Sequence, residues 1–141
     1  MNPRNTELAA IRQVVDKYAE GCHTGNIALL RSIFHPQAMM YGAGGDNVLM
    51  TPIEGLYAYI EANEPPQKTG EPHQNMVTSI RYEGNAAVVE TVQEAAYGND
   101  YTNFFQLLKI EGQWLIVSKS YNAVPTKKEQ QPITELHMQE S

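Results

Sequence analysis

One cysteine, Cys22, stands among 141 residues, so no internal disulfide can form and no metal-type cysteine spacing exists. No apolar run approaches the roughly 20 residues that cross a bilayer. The opening "MNPRNTELAA" lacks the charged-then-apolar layout of a secretory leader. The expectation is a soluble, cytoplasmic protein with no membrane partner. Basic charge is also scarce. Ten Lys and Arg against 16 Asp and Glu leave a net charge of −6 without a basic cluster, which argues against nucleic acid as a partner. No two histidines share helical ligand spacing, so no metal site is expected. There is no Gly-x-Ser-x-Gly elbow and no phosphate-cradling glycine loop followed by a helix. No cofactor is expected.

The length suits one domain with a real core. We place it at residues 1–124 and read 125–141 as a polar, proline-marked tail, with a short helix near Ile133–Met138. Leu8, Ile11, Val15, Tyr18 and Cys22 recur at three- and four-residue steps and predict a first helix. Asn5 or Thr6 caps its start, and Gly21 and Gly25 bracket its end. Asn26 caps a shorter helix with Leu29, Leu30, Ile33 and Phe34 on its apolar face, stopped by His35-Pro36. "AMMYGAGGDNVLM" reads as two short strands around a glycine-rich turn, with Asp46 either a turn residue or a carboxylate over a pocket. "TPIE" predicts a capping box: Thr51 at the cap, Pro52 in the first turn and Glu54 reaching back. The helix it opens buries Ile53, Leu56, Tyr57 and Ile60.

After the turn-rich "NEPPQKTGEP" the apolar period falls from 3.6 to 2. Strands are predicted at 74–82, 86–97, 101–110 and 113–121, joined by hairpin turns at Glu83-Gly84-Asn85, Gly98-Asn99-Asp100 and Glu111-Gly112. Helices on one side of an antiparallel sheet make an α+β domain.

The last hairpin, "FFQLLKIEGQWLIVSK", raises a question, because buried polar groups cost free energy without partners. A two-residue turn at Glu111-Gly112 sets Gln106 opposite Val117 and Phe104 opposite Lys119. Thr102, Phe104, Gln106, Leu108, Leu115, Val117, Lys119 and Tyr121 then share one face, mostly apolar with a few polar groups, as ligand sites are. Asn103, Phe105, Leu107, Lys109, Trp114, Ile116, Ser118 and Ser120 share the other, against a core or a partner subunit. The alternative is that Lys119 reaches out to water and Gln106 bonds neighbouring backbone. Among the histidines, His35 serves packing, a turn or catalysis, and His23 is a surface cation near a helix C-terminus. His73 begins a strand beside a loop and either has no site role or rims a pocket mouth, and His137 lies in the tail.

The element order, with "YAEGCHTGNIALLRSIFHPQAMMYG" and "EGQWLIVSKSY", resembles the nuclear transport factor 2-like superfamily. That group includes ketosteroid isomerases, scytalone dehydratase and SnoaL-type polyketide cyclases. The subgroup labelled "putative lumazine-binding" is the nearest. The resemblance spans roughly residues 6–123 and implies a cone: three N-terminal helices on a strongly curved antiparallel sheet, a pocket at its open end, and a homodimer through the sheet's outer face. Carried over from ketosteroid isomerase, the oxyanion tyrosine falls on Tyr18, a supporting tyrosine on Tyr57, the protonated aspartate on Gln106 and a pocket aromatic on Tyr121. The catalytic aspartate falls on Gly42, so the ordinary base is missing. Where the lumazine-labelled subgroup often has an aspartate, this chain has Asn103.

The expected catalytic set is thus Tyr18, Gln106 and His35, with Met40, Tyr57, Phe104, Leu108, Lys119 and Tyr121 binding a small-molecule ligand. Three functions follow. The first is a lyase- or isomerase-type enzyme acting on an apolar oxygenated substrate by dehydration, isomerisation or cyclisation, with His35, Asp46 or Lys119 moving the proton. The others are a non-catalytic binding module and a dimeric interaction protein with a vestigial pocket.

Overall fold

The computed structural model describes residues 2–127. Helix α1 (Pro3–Thr24) starts earlier than a cap at Asn5 or Thr6 would allow, because Asn2 is the cap and its side chain accepts from the Arg4 amide. It ends at Gly25, whose φ of 72° closes the helix through a bond from its N–H to the Gly21 carbonyl. Asn26 caps α2 (Ile27–Ile33) by accepting from the Leu29 amide at 3.0 Å. Asn26→Ala is expected to cost about 1 kcal/mol, readable as a lower urea midpoint with an unchanged slope.

The capping box at Thr51 does not form. Thr51 and Pro52 end strand β2 (Asn47–Pro52), where Thr51 pairs with Met40 of β1 (Phe34–Gly44). Helix α3 (Glu54–Glu61) starts from Ile53 with no side-chain cap, and Glu54 turns instead to Arg31 of α2 in a two-pronged ion pair at 2.9 and 3.0 Å. Tertiary pairing overrode a local signal. The buried face of Ile53, Leu56, Tyr57 and Ile60 is as expected. A further turn of helix, α4 (Pro66–Thr69), sits in the loop that follows.

Strands β3 (Gln74–Glu83), β4 (Ala86–Ala96), β5 (Asn99–Ile110) and β6 (Gln113–Pro125) form the predicted meander. The sheet runs β2-β1-β6-β5-β4-β3. It is mixed rather than wholly antiparallel, since β1 returns beside β6 in parallel. The six-stranded sheet curves around the helices without closing, giving the expected α+β cone. Glu111 and Gly112, with φ of 51° and 81°, make the left-handed two-residue turn between β5 and β6.

The core lies between α1–α3 and the concave face of the sheet, around Ile11, Val15, Leu30, Phe105, Leu107 and Ile116. Trp114, left open as core or partner contact, belongs to that core: its indole N–H donates to Glu7 of α1 at 2.8 Å, and Lys109 pairs with the same carboxylate at 2.7 Å. No helix among the described residues is long and apolar enough to cross a membrane. The tail helix near Ile133–Met138 and His137 lie outside the described residues.

Candidate functional site

The concave face reads differently from the simple alternation. Pairing follows the two-residue turn from Ile110↔Gln113 to Leu107↔Ile116, then slips, so that Gln106 faces Ser118 and Phe105 faces Lys119. Val117 is the extra residue of a β-bulge, and beyond it every β6 side chain changes face. Lys119 and Tyr121 therefore join Phe105 and Asn103 toward the helices. Gln106, Phe104 and Leu108 point the other way. Phe104 is 46% exposed and Leu108 42%, and Gln106 accepts from the Ser118 hydroxyl on the outer face. The expected pocket wall was thus split between two sides of the sheet.

A cavity of about 230 Å³ opens between the C-terminal half of α1, α3 and the concave ends of β1, β4, β5 and β6. Of the expected residues it gathers Tyr18, Met40, Lys119 and Tyr121. Tyr57 is buried nearby against Phe34, with the Arg31 guanidinium over its ring at 4.4 Å, but is not among the lining residues. His35 lies away from the cavity, at the start of β1, where its Nδ1 accepts from the Gln37 amide. Asp46 sits exposed at the tip of the β1–β2 turn.

Lys119 is 2% exposed. Its Nζ lies over the Tyr121 ring at 4.1 Å and the Tyr18 ring at 5.6 Å, with the Met40 sulfur at 4.0 Å. The ion pairs among the described residues, Arg12–Asp16, Arg31–Glu54 and Lys109–Glu7, lie elsewhere. Burial without a carboxylate pushes the amine down to about 8, against a weaker upward pull from Cys22. Burial, then the Cys22 thiol, holds the Tyr18 hydroxyl well above its ordinary range, so it is a firm hydrogen-bond donor. Burial likewise raises the Cys22 thiol.

A polar network leads out from this wall, and only part of it is visible in the sequence. Asn103 of β5, fully buried, donates to Thr91 Oγ1 at 3.2 Å and to Gln93 Oε1 at 2.9 Å, while its own Oδ1 has no partner. Gln93 lines the cavity and bonds His73 Nε2 at 3.1 Å, and His73 Nδ1 lies 3.0 Å from His23 Nδ1. Burial, and then His23, lowers the His73 pKa. His23 is therefore half-buried against its partner rather than a free surface cation. Thr91 and Gln93 continue the inward series of β4 that begins with Ala87 and Val89, so the buried face of this strand turns polar toward the cavity. Tyr97, at the cavity rim with φ of 54°, is pinned by its hydroxyl donating to the Cys22 carbonyl at 2.7 Å and its amide donating to Glu71 at 3.2 Å. Among the described residues no three His, Cys, Asp or Glu side chains converge as a metal set.

The site thus offers an apolar cavity, a buried amine with no ion-pair partner among the described residues, and beside it a phenol held protonated. The family described as "Putative lumazine-binding" matches residues 6–122. A nuclear transport factor 2-like protein of unknown function from Shewanella baltica is 32% identical, superposes with a TM-score of 0.80, and the match covers 89% of this chain and all of that one. A second such protein, from Methylobacillus flagellatus, is 26% identical at a TM-score of 0.77, over 84% of this chain and 92% of its own. Among curated proteins, an aldolase, FrzH, from a Cladobotryum species is 25% identical over 122 residues, 86% of this chain and 94% of its own length.

Proposed function

The chain belongs to the family described as "Putative lumazine-binding", on the nuclear transport factor 2-like fold, and from that premise we propose that it is an enzyme that activates the carbon beside a carbonyl in an apolar small molecule. Enolisation, isomerisation, dehydration and aldol chemistry share that step. The observation that carries the reading is Lys119, an amine buried on the cavity wall with no carboxylate paired to it among the described residues. With its pKa at about 8, a tenth or so of it is neutral at pH 7, enough to take part in proton transfer there. Tyr18 is the donor for charge developing on the carbonyl oxygen. The name of the Cladobotryum relative agrees with this class of reaction. Gln106 and His35 have no part in it.

A homodimer through the outer face of the sheet fits the apolar side chains displayed there, Val88, Phe104 and Leu108. We place the protein in the cytoplasm.

The test is exchange of α-hydrogens into deuterated water, followed by NMR for a panel of apolar aldehydes and ketones. The protein is expected to accelerate exchange for a subset, and Lys119→Met to lower that rate at least about 100-fold. Binding of the panel, or of lumazine itself, with no exchange in any compound would establish the second reading, a non-catalytic pocket, which the family description favours.

A further inference from the structure

We infer that Lys119 acts covalently, condensing with the substrate carbonyl to form an imine at the cavity wall. This rests on the reading above and adds to it the identity of the bond and the substrate class: an apolar aldehyde or ketone bearing an α-hydrogen.

The geometry favours a nucleophile over a structural cation. A lysine kept for charge is held by acceptors, as Lys109 is held by Glu7 at 2.7 Å. Lys119 has only the Tyr121 and Tyr18 ring faces and the Met40 sulfur, which attract an ammonium less than a carboxylate does and leave the lone pair of the neutral amine free. A desolvated lysine in an apolar pocket is the usual setting for Schiff-base chemistry, because desolvation disfavours the ammonium and frees the amine. The surroundings also favour the product. Condensation releases one water, and the groups nearest the amine, Tyr18, Met40 and Tyr121, face it with mostly apolar surface.

The Nζ lone pair attacks the carbonyl carbon, forming a C–N bond as the C=O π bond breaks, and one N–H proton passes to the oxygen to give the carbinolamine. The nitrogen lone pair then expels the hydroxyl, which leaves as water with a proton from the Tyr18 hydroxyl, leaving an iminium and a phenolate. The phenolate recovers its proton from the α-carbon, and the electron pair of that C–H bond forms the enamine. Tyr18 ends as it began. Its elevated pKa makes the phenolate a strong base, while the adjacent iminium stabilises it as an ion pair. Nothing enters beyond the carbonyl compound, and nothing leaves beyond water.

The experiment is reductive trapping. The full chain is incubated at pH 7 with the same carbonyl panel and sodium cyanoborohydride, which reduces iminium ions faster than aldehydes or ketones. Intact mass and peptide mapping follow, with binding of each compound measured in parallel by ligand-observed NMR. We expect a single adduct, the carbonyl compound less one oxygen, on Lys119. It should form at least about tenfold faster than adducts on the exposed Lys17 and Lys68, or on Lys109, whose amine is bonded to Glu7. Lys119→Met should lose that adduct and keep the slow background. Compounds that bind and exchange but label Lys119 no faster than the surface lysines would overturn the covalent step and leave the proposed function standing. A panel that neither binds, exchanges nor labels would overturn both.

Discussion

Lys119→Met is expected to stabilise the protein by about 3 kcal/mol at pH 7 while abolishing exchange and trapping. Methionine keeps most of the length and apolar stem and removes the charge. The amine pKa falls from 10.5 to about 8 on folding, and a difference of about 2.5 units corresponds to about 3 kcal/mol. Because the folded value is the lower one, the unfolded chain binds more protons between pH 8 and 10.5. Wild-type stability therefore climbs with pH through that window, while the variant lacks this contribution. The advantage of methionine should be full below pH 8 and fade toward pH 10.5. Urea denaturation of both proteins at pH 7 and pH 10 measures this directly. A variant no more stable than wild type at pH 7 would show that the amine is hydrated or paired in solution. A residue whose removal raises stability and ends activity is kept for chemistry, at a cost in stability that most active sites carry.

Why this residue could be suspected from the sequence and yet misplaced comes down to one bulge. The alternation of β5 and β6 was legible, as was the Glu111-Gly112 turn, and together they set the first four pairs correctly. "WLIVSK" contains no glycine or proline to announce that Val117 is inserted, so alternation carried past it put Lys119 beside Gln106. One unpaired residue reverses the face of everything after it. Lys119 and Tyr121 turned inward, and Gln106, Phe104 and Leu108 proved to lie outside.

The helices were easier, since a stripe over four turns of α1 tolerates an error at its cap. Thr51 failed for the opposite reason. Four residues of good capping chemistry were outweighed by strand pairing with Met40 and by Arg31 claiming Glu54. The Asn103–Gln93–His73–His23 chain joins positions up to 50 residues apart. Sequence periodicity places each residue on a face, but only the packing of α1 against the sheet brings the four into line.

Gly42→Ala is expected to cost about 1–3 kcal/mol and to slow trapping of Lys119 at pH 7. Gly42 is the position that resemblance assigns to the isomerase aspartate, and the structure shows what replaced it. A Cβ there would fall on the Tyr121 ring, so ring and side chain cannot occupy the space together. The parallel pairing of β1 with β6 sets Gly42 beside Tyr121, and the face of that same ring carries the Lys119 amine. The absent carboxylate and the buried amine are therefore one arrangement: removing the side chain at 42 makes room for the ring that covers the lysine. Tyr121 is half-buried and can swing outward, which places the cost toward the lower end. Once it swings, water reaches Nζ, the amine rises toward its ordinary pKa, and less of it is neutral at pH 7. The pH midpoint of trapping should move up from about 8. Gly42→Asp should not restore isomerase-type geometry, since its carboxylate meets the same ring. Unchanged trapping and an unchanged midpoint in Gly42→Ala would separate the two features and leave the glycine without a role in the chemistry.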